Sequence, residues 1–255
     1  QRQIRDWGLL AFLEEAQHEV HSLSGYFFDE KQFQIVEEAP TLLRVVRAWD
    51  TAATQGGGDF TVGVLMGISA NGVLWVLDVV RAQLSSDNGE RLMQLVTEWD
   101  RATWSNRYTV RIPQDPGSAG KRVADADRRN LGAKAESVTG SKATRAKAWQ
   151  RKVNEGNVRL LTDDRERTPE IDGFLARATR GTDLEGKSRK WSRAFTSEHR
   201  RFREDESHDF DDQVDASADA CNELIGKPSE APAAKPISQH DHSREFLGAT
   251  DTAFI

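Results

Sequence analysis

Cysteine is nearly absent from this chain: Cys221 stands alone among 255 residues. That excludes an intrachain disulfide framework and a cysteine-rich zinc site. Cys221 falls on the apolar side of an expected helix, where a free cysteine fills core rather than acting as a nucleophile. Long apolar runs are missing too. No stretch approaches the roughly 20 residues that span a bilayer, and no secretory leader is visible. A soluble chain in a reducing compartment is expected, with no membrane partner. No segment repeats at a fixed period. A nucleotide-binding phosphate loop is also lacking. Ser118-Ala119-Gly120-Lys121 comes nearest, but its spacing departs from G-x-x-x-x-G-K-[ST], and Arg122 stands where Ser or Thr is required. An ATP-driven motor is therefore disfavoured.

Hydrophobic residues make up 37% of the chain and charged residues 30%, with a mean hydropathy of -0.65. The length allows one sizeable domain plus extras, and the polarity assigns part of it to tail or exposed loop. The net charge of -6 says little about partners, because the charges are unevenly spread. The chain begins at Gln1 rather than Met, which suggests a fragment or a processed chain. Ile4 to Val20 carries a loose helical face of Trp7, Leu10, Ala11 and Val20, and Pro40 closes this leading segment. At the other end Pro228, Pro232 and Pro236 fall among Ala, Ser and Lys, which reads as a mobile tail.

Between these ends the pattern alternates. Leu42–Trp49, Phe60–Ile68 and Val73–Arg81 read as strands, the last two joined by Asn71-Gly72, a strong hairpin signal. Their near-continuous apolar runs predict an antiparallel meander buried on both faces. Ser86–Trp104 is an amphipathic helix, with Ser86 or Asp87 as its cap. Strand Tyr108–Ile112 follows, then helix Ser118–Asn130, strand Ala135–Val138 and helix Lys142–Asn154 with Gly156 as its stop. Strand Val158–Leu161, helix Pro169–Thr179 and helix Asp211–Ile225 complete the order, and residues 181–206 show no clear period. This is an α/β chain: an RNase H-like mixed sheet, in which an antiparallel three-strand meander is continued by parallel strands and flanked by helices. In that plan the first strand and its neighbour, the fourth, deliver acids to one edge of the sheet.

Acids stand at those places. Asp50 ends the first strand, Asp115 follows the fourth, and Asp211 and Asp212 open the last helix. Each has an ordinary explanation. Asp50 and Asp115 are good turn residues, Asp59 ends a glycine-rich turn, and Asp211 or Asp212 suits a helix N-cap. Yet two adjacent acids following His208 and Asp209 are poorly explained by capping, since like charges repel. Asp212, Asp215 and Asp219 share one helix face, an acidic stripe of the kind that usually faces solvent. Val214, Ala218, Cys221 and Ile225 form the opposite, apolar face, and Ala216 and Ala220 keep the helix slim enough to lie close on a sheet. Together the three acidic stations make a cage for hard divalent cations, which take oxygen ligands. A pair of such ions clamps the attacking and leaving oxygens of a phosphodiester. The expected reaction is metal-dependent cleavage of a nucleic acid.

Basic residues mark where the nucleic acid would lie. Lys187, Arg189, Lys190, Arg193, Arg200, Arg201 and Arg203 cluster with only Glu198 opposing, interleaved with Trp191, Phe195 and Phe202, which suit stacking or anchoring. A second set, Lys142, Arg145, Lys147, Arg151 and Lys152, lies on one helix. A solvated charged face is the plainer reading of both.

The chain resembles, over roughly Thr41 to Lys227, the nuclease domain of the large terminase subunit of tailed bacteriophages. The resemblance rests on Arg47-Ala48-Trp49-Asp50 followed by Asp59-Phe60-Thr61, on Gln114-Asp115-Pro116-Gly117-Ser118-Ala119-Gly120-Lys121, on Gly140-Ser141-Lys142-Ala143-Thr144-Arg145-Ala146, and above all on His208-Asp209-Phe210-Asp211-Asp212-Gln213-Val214-Asp215-Ala216. It implies that residues 1–40 are the end of an ATPase domain or a linker, 41–227 the nuclease domain and 228–255 a flexible tail. It implies metal-binding acids at Asp50, Asp115 and Asp212, with Asp211 adjacent and Asp215 accessory. The intervening Asp209-Phe210 leaves Asp209, Asp211 and Asp212 as alternatives for the third position. It further implies two Mg²⁺ or Mn²⁺ ions and double-stranded DNA held by Lys142, Arg145 and the basic loop, with little sequence specificity. Partners would be the small terminase subunit and the capsid portal, in the cytoplasm of an infected bacterial host. The rival readings are another RNase H-like nuclease, such as a Holliday-junction resolvase or an RNase, and a non-catalytic module that docks on DNA or the portal.

Overall fold

The computed structural model describes residues 26–51, 60–114, 129–137, 141–162, 167–178, 191–205, 207–208 and 210–226. The expected helix Ile4–Val20, most of helix Ser118–Asn130 and the proline-containing tail lie outside them.

A turn of 3₁₀ helix at Glu30–Gln32 leads into β1 (Gln34–Val36), followed by β2 (Leu42–Asp50), β3 (Thr61–Ser69) and β4 (Leu74–Ala82). Then come α1 (Ser86–Trp104), β5 (Tyr108–Gln114), β6 (Lys134–Ser137), α2 (Lys142–Asn154), β7 (Val158–Leu161), α3 (Pro169–Ala178), α4 (Ser192–Arg201) and α5 (Asp212–Ile225). The seven strands form one sheet in the order β1-β7-β4-β3-β2-β5-β6. β2, β3 and β4 are the antiparallel meander, and β5 and β6 extend it in parallel beyond β2. On the other side β7 runs parallel to β4, and β1 parallel to β7. This is the expected RNase H-like mixed sheet. Gly72 turns the β3–β4 hairpin at φ 78° and Gly156 ends α2 at φ 69°, left-handed conformations that glycine adopts without steric cost.

Period-two alternation divides the strand side chains between two cores. Val46, Ala48, Val62, Val64 and Met66 pack against Trp149 and Val153 of α2, Phe195 of α4, and Val214, Ala218 and Cys221 of α5. Val45, Trp49, Leu65, Leu77 and Val80 pack beneath α1 and α3. Burial on both faces explains why these strands read as continuous apolar runs. On the α1 side, Arg47 is fully buried and paired with Asp100 at 2.8 Å and Asp78 at 2.9 Å. Tyr108 adds a bond to Asp100, and Arg167 one to Asp78.

Ala216 and Ala220 are completely buried, so α5 does lie close on the sheet. Its C-terminal end is fastened by Arg44 of β2, which donates to the carbonyls of Leu224 and Glu223. The Glu223 carboxylate takes Arg111 at 3.2 Å and Lys134 at 3.1 Å. Cys221 is buried, and burial pushes its thiol up to about 12; it is core, as expected. Among the described residues, no helix is long and apolar enough to cross a membrane.

Two elements differ from the expectations. β1 is an added edge strand. Residues 192–201, within the stretch that showed no period, form the helix α4, and Trp191, Phe195 and Phe202 are buried in the core. The three rings anchor α4 and its ends; they are not surfaces for stacking bases.

Candidate active site

β2 ends at Asp50, and alternation puts Asp50 on the face of Val46 and Ala48, the face that α5 covers. β5 is the parallel neighbour of β2, so both strands leave the sheet at one edge. β5 ends at Gln114. Asp115, the next expected acid, lies outside the described residues, as do Asp59, Asp209, Lys187, Arg189 and Lys190. The N-terminus of α5 brings Asp211, Asp212 and Asp215 to the same place. The Asp50 carboxyl is pushed well above the usual carboxylate range, first by burial and then by the charges of Asp215 and Asp212; Lys142 opposes them and Asp211 adds to them. Four of the expected acids therefore share one electrostatic neighbourhood.

Asp211 occupies the N-cap position of α5 but makes no cap hydrogen bond. Its two oxygens instead accept from Lys142 Nζ at 2.7 and 2.6 Å, and Oδ2 also receives His208 Nε2 at 3.1 Å. Burial alone would raise the Asp211 carboxyl; the bonds from Lys142 and His208 outweigh it and hold the group below its usual range. The Arg203 backbone N–H donates to His208 Nδ1, which leaves Nε2 to carry the proton given to Asp211. His208 stacks on Phe202, with ring centroids 4.5 Å apart.

The capping duty passes to Glu198 of α4. Its Oε1 accepts the Gln213 backbone N–H at 2.6 Å, and its Oε2 the Gln213 side-chain amide at 2.6 Å. One of the orphan donors of the α5 N-terminus is thus satisfied from another helix. Burial raises the Glu198 carboxyl, and the Gln213 bonds and Arg81 partly offset this. Arg81 approaches Glu198 at 3.8 Å and lies over the Phe60 ring.

The acidic stripe is not a solvated face. Asp215 is buried and faces α2, where Arg145 Nη2 meets its oxygens at 3.3 and 3.4 Å and Lys142 reaches it at 3.4 Å. Burial still raises the Asp215 carboxyl against both cations. Lys142 and Arg145 therefore stand inside the acid cluster. Arg193, Arg200 and Arg201 are exposed on α4, with Arg200 3.6 Å from Glu30.

Crowded oxygen donors, one of them destabilised in its charged form by desolvation and then by its like-charged neighbours, are the donor chemistry of a hard-cation site. Among the described residues, no three His, Cys, Asp or Glu side chains are spaced to hold a metal ion. Lys142 engages both oxygens of Asp211, so that carboxylate is turned onto the ammonium.

Glu198 and His208 escaped the reading of residue types. Glu198 was visible only as the single acid in a basic run, and His208 only as the start of the motif that ends in Asp215.

A family model described as "Terminase RNaseH-like domain" matches residues 47–224. A search of curated proteins found no match. Among solved structures, the large terminase of thermophilic bacteriophage D6E aligns with a TM-score of 0.49 and 15% identity over 78% of this chain; the chain spans 43% of that protein. The large terminase nuclease domain of Thermus phage P74-26 aligns with a TM-score of 0.48 and 12% identity, covering 80% of this chain and 97% of that one. The large terminase nuclease from thermophilic phage G20c, solved with bound magnesium, aligns with a TM-score of 0.47 and 12% identity, covering 77% and 96%.

Proposed function

We propose a function from one premise: the chain belongs to the terminase RNase H-like domain family. On that premise it is the nuclease part of a phage DNA-packaging terminase large subunit. It cuts double-stranded DNA with little sequence specificity, using two Mg²⁺ or Mn²⁺ ions. The observation that carries the reading is the placement of Asp50, half-buried at the end of β2, within the field of Asp215, Asp212 and Asp211. Acids gathered this closely repel one another in their charged forms, and a divalent cation would relieve that repulsion beyond what Lys142 and Arg145 supply.

Asp50, Asp115, Asp211 and Asp212 are the residues assigned to the ions, with Asp215 accessory. When bound, the ions activate a water and offset charge on the leaving oxygen. The chain's own residues prepare the place. β2 and α5 hold Asp50, Asp212 and Asp215 on rigid elements, which sets their spacing more narrowly than loops would. His208 orients Asp211, and Arg145 fixes Asp215. Lys142 and the basic residues of α4 and the segment before it would steer and hold the phosphate backbone. The small terminase subunit and the portal are the proposed protein partners, and the cytoplasm of the infected host the proposed setting.

Asp50→Ala should abolish Mn²⁺-dependent cleavage of plasmid DNA while the far-ultraviolet circular dichroism stays that of the parent. Undiminished cleavage by that variant would remove the proposal. Linear duplex, four-way junction and RNA–DNA hybrid substrates, compared side by side, separate it from the resolvase and RNase readings.

A further inference from the structure

We infer that Lys142 is the internal counter-cation of the acid cluster, an ammonium that competes with the divalent ion for Asp211 and Asp215 and passes to substrate phosphate when displaced. The inference rests on the metal-dependent reading proposed above. It starts from geometry. The first turn of α2 brings Nζ to 2.7 and 2.6 Å from the two oxygens of Asp211, and to 3.4 Å from Asp215. Two-oxygen engagement of one cation is a mode that carboxylates also offer divalent metals. The ammonium thus holds the donors a metal would need.

The neighbouring cation differs. Arg145 meets Asp215 at 3.3 Å, and its side chain is 17% exposed against 40% for Lys142. Arg145 is packed in place. Lys142 has a flexible four-carbon stem with access to solvent, and its charge is a point that re-pairs readily with another oxyanion. Lys142 also offsets charge at Asp50, across the cluster. Exchange of this single charge for a divalent one raises the positive charge held on the Asp211 and Asp215 oxygens by one unit, the direction that the crowded acids favour. The freed ammonium remains at the site, within reach of a phosphate oxygen brought to the same ions. Residence on the acids also keeps their mutual repulsion from opening the α5 N-terminus before metal arrives.

The test is titration calorimetry with MnCl₂ on the whole chain, without DNA, for the parent, Lys142→Met, Lys142→Gln and Lys142→Arg. Competition between two cations is a coupling free energy, for which factors of about 5–150 are typical. Lys142→Met should bind Mn²⁺ at least about five-fold more tightly than the parent. Its melting temperature without metal should fall, and its rise on adding Mn²⁺ should grow. Plasmid cleavage should slow, so that affinity and turnover move in opposite directions, which loss of structure alone does not produce. Lys142→Gln keeps a donor without the charge and should follow Lys142→Met, whereas Lys142→Arg should return affinity toward the parent. Equal or weaker Mn²⁺ binding by both neutral variants, with Asp50→Asn having lost it, would overturn the inference and leave the metal reading standing. A parent chain that binds no Mn²⁺ would overturn both.

Discussion

Substitution of Glu198, a residue distant in sequence from the acids, should damage the site through the helix it caps. Glu198→Ala removes the acceptor of the Gln213 backbone N–H and of its side-chain amide, both at 2.6 Å and both buried. Loss of a helix cap costs about 0.5–2 kcal/mol, and each buried donor left without a partner about 1–3 kcal/mol. Relief of the carboxylate's own burial, the cause that raises its pKa, offsets part of this. A net loss of about 2–4 kcal/mol follows, or roughly 4–16 °C in Tm for a domain of this size. Asp211, already at the N-cap position, becomes the nearest substitute cap, and taking that duty draws it away from Lys142. Cleavage should therefore fall further than stability explains. Glu198→Gln retains an oxygen for the Gln213 N–H, and the Gln213 amide can turn to meet it, so its cost should be about 1 kcal/mol. Differential scanning calorimetry and Mn²⁺-dependent plasmid cleavage on the three proteins provide the assay. A Glu198→Ala chain that melts within about 2 °C of the parent, or a Glu198→Gln chain equally damaged, would refute the reasoning.

Asp50→Asn should stabilise the EDTA-treated chain at neutral pH while abolishing cleavage. The Asp50 carboxyl is raised in the fold, so its contribution to stability is present below the ordinary carboxylate range and lost as pH rises through the raised value; a lower Tm for the variant at neutral pH would contradict this. The fully buried His199 accepts Trp149 Nε1–H on Nε2, faces the Phe195 carbonyl with Nδ1, and is lowered to about 3 by burial. A depressed histidine contributes stability that is present above its ordinary value and lost as pH falls toward the folded one, so its ring resonances should not titrate between about pH 8 and 5 in NMR spectra of the folded chain, and a midpoint inside that window would refute the assignment. Arg47→Met leaves the buried Asp78 and Asp100 without their shared guanidinium and should cost about 3–5 kcal/mol in urea unfolding; a loss under about 1 kcal/mol would mean that the network contributes little.

Much of the scaffold was legible because its signals were local. Ser86–Trp104, Lys142–Asn154 and Val158–Leu161 lie within the bounds that apolar period and capping residues suggested. β1 left no such trace: it is three residues long, and its one isoleucine, Ile35, is 58% exposed. α4 was hidden for a different reason. Its buried side includes Glu198 and His199, which a polarity pattern assigns to solvent. Their burial depends on Gln213 and Trp149, partners supplied by other elements. The same limit applies to the acids. Their convergence followed from strand order, but the diversion of Asp211 from capping to Lys142 depended on a helix cap arriving from α4. Of the two roles open to Trp191, Phe195 and Phe202, stacking or anchoring, burial leaves anchoring; interleaving with cations in sequence says nothing about which side of a helix faces the core.

The fastening of α5 at its rear has a consequence for the front. Arg44 and Asp50 belong to one strand, six residues and about 20 Å apart. Leu224 and Asp212 belong to one helix, twelve residues and about 18 Å apart. Strand and helix run in opposite directions and act as two rulers of matched length, aligned by the Arg44 clasp at one end and compared at the acids on the other. A slip of one helical residue at the clasp would displace Asp212 by about 1.5 Å. Evolution or engineering can therefore tune the carboxylate spacing from the opposite side of the molecule, by altering Arg44 or its grip, with every acid left in place.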